Sequence, residues 1–212
     1  MELTLPKNYI FLGKTGSGKT QCFKSVYLNV LKEKYKKHYV FVLCTTANYS
    51  GDYDFIDPKF IKTDYKKFHQ DLINIVEFSK KLHKKKADIN VVVVIDDALG
   101  VLDFNDKEIT NFIISARHYN LSFIIMLQQL TKYVQGGLRN NFSYLFINNV
   151  SDNSNIKCLY ELTSVFDKQS ECKKYISTNC VNHNTVFIDN NSVVVVEPHV
   201  FNSQDLYHIS ES

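Results

Sequence analysis

The sequence has no tryptophan, only two arginines (Arg117 and Arg139), three prolines and seven glycines in 212 residues. It also lacks an excess of charge of one sign: 25 Lys and Arg against 22 Asp and Glu leave +3. That excludes a histone-like polycation, so any contact with nucleic acid must come from local patches. No apolar run approaches the ~18 residues that span a bilayer, and the N-terminus MELTLPKNYIFLG lacks a basic start followed by an apolar stretch, so no membrane insertion is expected. Five cysteines, odd in number and without a CxxC, exclude a secreted disulfide framework and read as reduced thiols of a soluble, cytosolic-type chain. What remains is 44% apolar and 22% charged, enough to bury one generous core.

Scarcity makes the placement of the glycines informative. Gly13, Gly16 and Gly18 fall within GKTGSGKT, residues 13 to 20, which matches G-x-x-x-x-G-K-[ST] at Gly13, Gly18, Lys19 and Thr20. A short apolar run, Asn8 to Leu12, enters the motif, and a segment with helical apolar spacing, Lys19 to Lys34, leaves it. Glycines admit backbone conformations closed to other residues, so successive N–H groups of Gly13, Lys14, Thr15, Gly16, Ser17 and Gly18 can turn towards phosphate oxygens. The positive end of the following helix adds to this. Lys19 is expected to reach the β- and γ-phosphates of ATP, and the Thr20 hydroxyl to coordinate Mg²⁺.

A phosphate loop of this kind needs an acid on a neighbouring strand. Val91–Ile95 (VVVVI) is the most strand-like stretch of the chain and ends in Asp96 and Asp97. Asp96 is the candidate Mg²⁺ ligand and Asp97 the candidate base that orients water against the γ-phosphate. A further strand, Leu121 to Leu127, ends in Gln128 and Gln129; if it lies between the loop strand and the Asp96 strand, Gln128 can touch the γ-phosphate or the attacking water. Arg139 follows Gly136 and Gly137 and is read as a finger reaching a neighbouring subunit's phosphates, while Arg117 can act likewise or cap a helix end.

Strands at Tyr39–Cys44, Val91–Ile95, Leu121–Leu127 and Tyr144–Ile147 alternate with helical stretches at Tyr65–Lys86 and Asp106–His118. This predicts an α/β fold with a mainly parallel sheet covered by helices on both faces. Residues 1–150 are expected to form the core and 151–212 a small cap of two short helices (153–163, 167–177) and a hairpin through Asn190–Asn191, with Ser192–Glu197 as its second strand. Lysine runs at Lys80–Lys86 and Lys32–Lys37 and the aromatic NYSGDYDF segment, with Tyr49 and Tyr53, could face DNA, though solvated lysines and packed tyrosines are the commoner outcome. Cys158, Cys172, Cys180 and His183 match no familiar zinc spacing.

The order GKTGSGKT, VVVVIDD, SARHYN before LSFIIMLQQ, then LRNNFSYLF resembles the genome-packaging ATPases of large DNA viruses and virophages, a branch of the FtsK–HerA superfamily. The resemblance covers about residues 8 to 148. It implies a RecA-like P-loop NTPase that forms a ring of copies of itself (hexamer or pentamer). The ring would drive double-stranded DNA into a preformed capsid, with capsid proteins as partners and the host-cell cytoplasm as place of work. It also implies Asp96 as metal holder and Gln128 as sensor. Most superfamily members carry Glu where this chain has Asp97. Two other readings stay open: a small nucleoside or nucleotide kinase, and a nucleotide-gated assembly factor with little turnover. The absence of arginine between 140 and 212 weighs against the kinase.

Overall fold

The computed structural model describes residues 3–96, 101–130, 136–163, 165–181, 183–189 and 199–202. Strand β1 (Tyr9–Gly13) leads through the glycine loop into helix α1 (Lys19–Val26), which continues through a π turn at Tyr27–Leu31. Then come β2 (His38–Cys44), the two-residue β3 (Ile61–Lys62), α2 (Phe68–Lys84), β4 (Asn90–Asp96), α3 (Lys107–Ser115) and β5 (Leu121–Leu127). Next follow β6 (Tyr144–Asn148), α4 (Asn153–Leu162), α5 (Gln169–Asn179), β7 (Asn184–Asp189) and β8 (His199–Asn202).

These strands form one sheet in the order β3-β2-β4-β5-β1-β6-β7-β8. Strands β1 to β6 run parallel, and β7 and β8 are added antiparallel. Neighbouring parallel strands need helical crossovers, which is why the sheet is sandwiched between helices. The VVVVI run shows the consequence. Val91, Val93 and Ile95 join one core with Phe68, Leu72 and Ile75 of α2 and Ile109 and Ile113 of α3, whereas Val92 and Val94 point the other way into a core with Phe23 and Val26 of α1. With neighbours on both faces, no position can be polar without stranding a polar group, and each buried valine contributes roughly 1.5–3 kcal/mol.

Helices α4 and α5 do not build a separate core. Ile156, Leu159, Cys172 and Ile176 lie in the same apolar cluster as the sheet residues Ile10 and Leu145. Strand β7 pairs antiparallel with β8 through Thr185↔Phe201 and Phe187↔His199. Asn190–Asn191 and Ser192–Glu197 lie outside the described residues. The edge strand β3, paired with β2 at Val42↔Ile61, has no sequence signal, because two residues carry no periodicity.

Gly13 is where the sheet tolerates no side chain. A Cβ there would stand 2.1 Å from the backbone oxygen of Asn148, its register partner on β6. Gly13→Ala is therefore expected to prise β1 from β6 and to lower unfolding free energy by about 3 kcal/mol or more, read from the urea midpoint.

Candidate active site

All strands from β1 to β6 being parallel, their carboxyl ends gather at one edge, and the residues singled out from the sequence are sorted by edge. Gly13–Thr20 follow β1, Asp96 ends β4, Gln128 follows β5, and β5 lies between β4 and β1 as the sensor reading required. Carboxyl ends of an open parallel sheet are where ligands sit in such folds.

The loop turns through Ser17 N–H donating to the Lys14 carbonyl (3.1 Å), with Gly16 at φ 73° and Gly18 at φ 93°. Gly18 occupies the left-handed conformation immediately before α1, and its carbonyl accepts from Cys22 N–H (2.8 Å), so the helix starts on the loop's last turn. The Lys19 side chain folds back over the loop: its ammonium donates to the carbonyls of Gly13 (2.9 Å) and Lys14 (3.0 Å) and is largely buried. Thr20 Oγ1 donates to Asp96 Oδ2 at 3.4 Å, bringing the helix start and the β4 end together.

Asp96 is buried and has a second donor that the sequence did not reveal. Tyr53 OH donates to the same Oδ2 at 2.7 Å. Tyr53 is 2% exposed and packs near Phe23 and Phe55, whereas Tyr49, four residues earlier, is 91% exposed. Burial above all, and then the neighbouring Asp96 carboxylate, raise the Tyr53 hydroxyl well above its ordinary value, so it remains a donor at any working pH. Tyr53→Phe keeps the ring packing and removes the hydroxyl's bond to the buried carboxylate together with its weaker contact to Met126 Sδ (3.7 Å). It is expected to cost about 1.5–3 kcal/mol of stability by urea denaturation.

The segment after β5 is held from α4. Buried Asn155 accepts from Leu130 N–H (2.6 Å) and donates to the Gln128 carbonyl (3.1 Å) and to Asp152 (2.7 Å). Gln128 is thus fixed by its backbone at the site's edge. Asp97 lies outside the described residues.

Both arginines belong to the opposite edge. Arg117 is exposed in the 3-10 turn Ala116–Tyr119 that precedes β5, and Arg139 falls in the turn Gly136–Asn141 that precedes β6. Asn8, just ahead of β1, ties this edge together: its side chain donates to the carbonyls of Ile113 and Asn141 (both 3.1 Å) and accepts from Phe123 N–H (2.9 Å). At ~3.3 Å per residue, strands of this length hold the two edges about 20 Å apart.

The exposed lysines Lys81, Lys84, Lys85 and Lys86 at the end of α2 also lie at the amino edge, ahead of β4. Lys80 is engaged, with Glu77 (2.8 Å) and over the rings of Phe112 and Tyr119. All five cysteines are buried thiols outside any disulfide, and among the described residues the only group gathered as for a metal is His69, Asp106 and Glu108, so the cysteines and His183 form no zinc site.

The sequence model of the poxvirus A32 protein family matches residues 3–211, nearly the whole chain. The chain belongs to the poxvirus A32 protein family. This bears out the resemblance to viral genome-packaging ATPases. The A32-family chain is also similar to solved structures. The genome-packaging NTPase B204 of Sulfolobus turreted icosahedral virus 2, in complex with AMPPCP, shares 15% identity at a TM-score of 0.66, over 94% of this chain and 99% of that one. The DNA-packaging ATPase B204 of Sulfolobus turreted icosahedral virus superposes with a TM-score of 0.68 at 15% identity, over 94% and 98%. The conjugation coupling protein TcpA of pCW3, with ATPγS, matches at a TM-score of 0.57 and 16% identity, over 96% and 64%. At such identities these likenesses establish the fold, an open, mostly parallel RecA-like P-loop sheet. No curated protein matches the sequence closely enough to add a relative. Among the described residues of the A32-family chain, no helix is long and apolar enough to cross a membrane.

Proposed function

We propose that this chain is an ATP-hydrolysing motor that translocates double-stranded DNA into a preformed viral capsid, working as a ring of copies of itself with capsid proteins as partners. The observation that carries the reading is the meeting of the Thr20 hydroxyl with the Asp96 carboxylate beside the glycine loop, in a chain of the A32 family. Those two groups are hard oxygen donors converging on one point, which suits Mg²⁺. Bound there, Mg²⁺ would neutralise charge on the β- and γ-phosphates.

The residues act as follows. The loop amides and the start of α1 cradle phosphate, and Lys19 exchanges its two carbonyl partners for phosphate oxygens. Tyr53 holds the Asp96 carboxylate in place, Asp97 orients water, and Gln128 senses the γ-phosphate from its pinned backbone. The amino-edge lysines could follow DNA phosphates without reading bases.

The reading is tested by ATP turnover with and without duplex DNA. Turnover stimulated by DNA and lost in Asp97→Ala supports the motor. Phosphate transfer to a nucleoside monophosphate would replace it with a kinase, and binding without turnover with an assembly factor.

A further inference from the structure

Two turns carry the only arginines of the chain, and one side chain is tied to both. Asn8, the residue before β1, is 7% exposed, and its amide makes three hydrogen bonds. Nδ2 donates to the Ile113 carbonyl, one helical turn ahead of Arg117, and to the Asn141 carbonyl, two residues after Arg139, each at 3.1 Å. Oδ1 accepts from Phe123 N–H (2.9 Å) near the start of β5. The backbone carbonyl of Asn8 also accepts from Ser143 N–H (2.9 Å), directly ahead of β6. A cavity of about 100 Å³ lies between the two turns, with Arg117, Asn140 and Asn8 among its walls, so the three stand side by side.

A short amide is suited to this place. An ionised carboxylate of the same size accepts but cannot donate, a hydroxyl carries a single proton, and glutamine sets its amide one methylene further out. The turn around Arg139 has other anchors, because Leu138 and Phe142 are buried in the core that also holds Ile10 and Leu145. Apolar contacts of that kind keep the turn attached without fixing its direction, whereas hydrogen bonds are directional. From Asn8 the five buried residues of β1 lead to the phosphate loop. The amide therefore sets both arginine turns relative to the strand that ends in the loop.

We infer that Asn8 is a positioning residue for Arg139, the finger that each protomer presents to its neighbour's phosphates. This rests on the ring reading with its finger in trans, and adds to it the group that aims the finger. Aim matters because a misplacement of about 1 Å at a reacting centre can cost on the order of 10²-fold in rate.

The test uses two variants of the full chain. Asn8→Asp keeps the acceptor for Phe123 N–H and loses both donations to the turns, and Asn8→Ala removes all three bonds. Turnover of ATP is expected to fall about 10–10²-fold in both while AMPPCP affinity stays within a factor of two. Mixing then separates aim from general damage. An Asn8→Asp protomer has a sound loop and a misaimed finger, so it is expected to regain turnover when mixed with Lys19→Ala and none when mixed with Arg139→Ala. Rescue by both partners, rescue by neither while Lys19→Ala and Arg139→Ala rescue each other, or turnover within twofold of wild type overturns the inference. Loss of the fold or of AMPPCP affinity in both variants makes Asn8 a structural residue and overturns it too. If Lys19→Ala and Arg139→Ala fail to rescue each other, the trans reading itself falls, and the role of Asn8 with it.

Discussion

Lys19→Ala is expected to cut ATP turnover by about 10²–10³-fold, the effect of removing one preorganised donor from developing phosphoryl charge. In the structure the ammonium is clasped by the carbonyls of Gly13 and Lys14, so the cation is parked over the loop before any phosphate arrives. Its replacement deletes the positive charge nearest the γ-phosphate but leaves Gly18 in its left-handed turn and α1 starting from it. Circular dichroism and the urea midpoint should therefore stay close to wild type while turnover collapses. Lys19→Arg is expected to fail as well, because a broad planar guanidinium does not fit the largely buried channel that the slim ammonium occupies. Turnover within threefold of wild type in Lys19→Ala would remove the loop from the chemistry.

Arg139→Ala is expected to slow turnover by about 10³-fold or more while leaving AMPPCP affinity intact, the signature of an arginine finger supplied in trans. The topology argues for the trans route. Arg139 and Arg117 belong to turns that precede β6 and β5, whereas the phosphate loop and Asp96 lie at the far ends of β1 and β4. An arginine reaches roughly 7 Å, and the strands hold the edges about 20 Å apart, so neither can serve the site of its own chain. A second protomer can present its amino edge to that site. Mixing is the decisive measurement. Protomers with Lys19→Ala keep a sound finger, those with Arg139→Ala keep a sound loop, and their mixture is expected to recover part of the turnover that each has lost. No recovery on mixing, or full turnover by Arg139→Ala alone, would overturn the assignment. Loss in Arg117→Ala instead would move the finger to the neighbouring turn.

The contrast between Tyr53 and Tyr49 shows why part of the site was not legible in the sequence. Both sit in NYSGDYDF, and composition treats them alike. Only folding separates them, sending one into the core to bond Asp96, 43 positions away, and the other to solvent. Asn155, whose amide holds the backbone after β5, reads locally as an ordinary polar residue near a helix start. In each case the role lies in a partner far along the chain, to which neither spacing nor propensity points.

The sequence by itself determined the phosphate loop, the acid-ended strand, the alternation of strands and helices, and family membership, because each is written in contiguous residues. A loop of glycines ending in Lys-Thr needs its own backbone, and a strand buried on both faces must read as an unbroken apolar run. Tertiary structure alone decided the strand order that puts β5 between β4 and β1, the separation of arginines from phosphates by the length of the sheet, and the second donor on Asp96. These depend on which distant segments pack together, and packing is chosen by the whole apolar surface at once rather than by any local stretch.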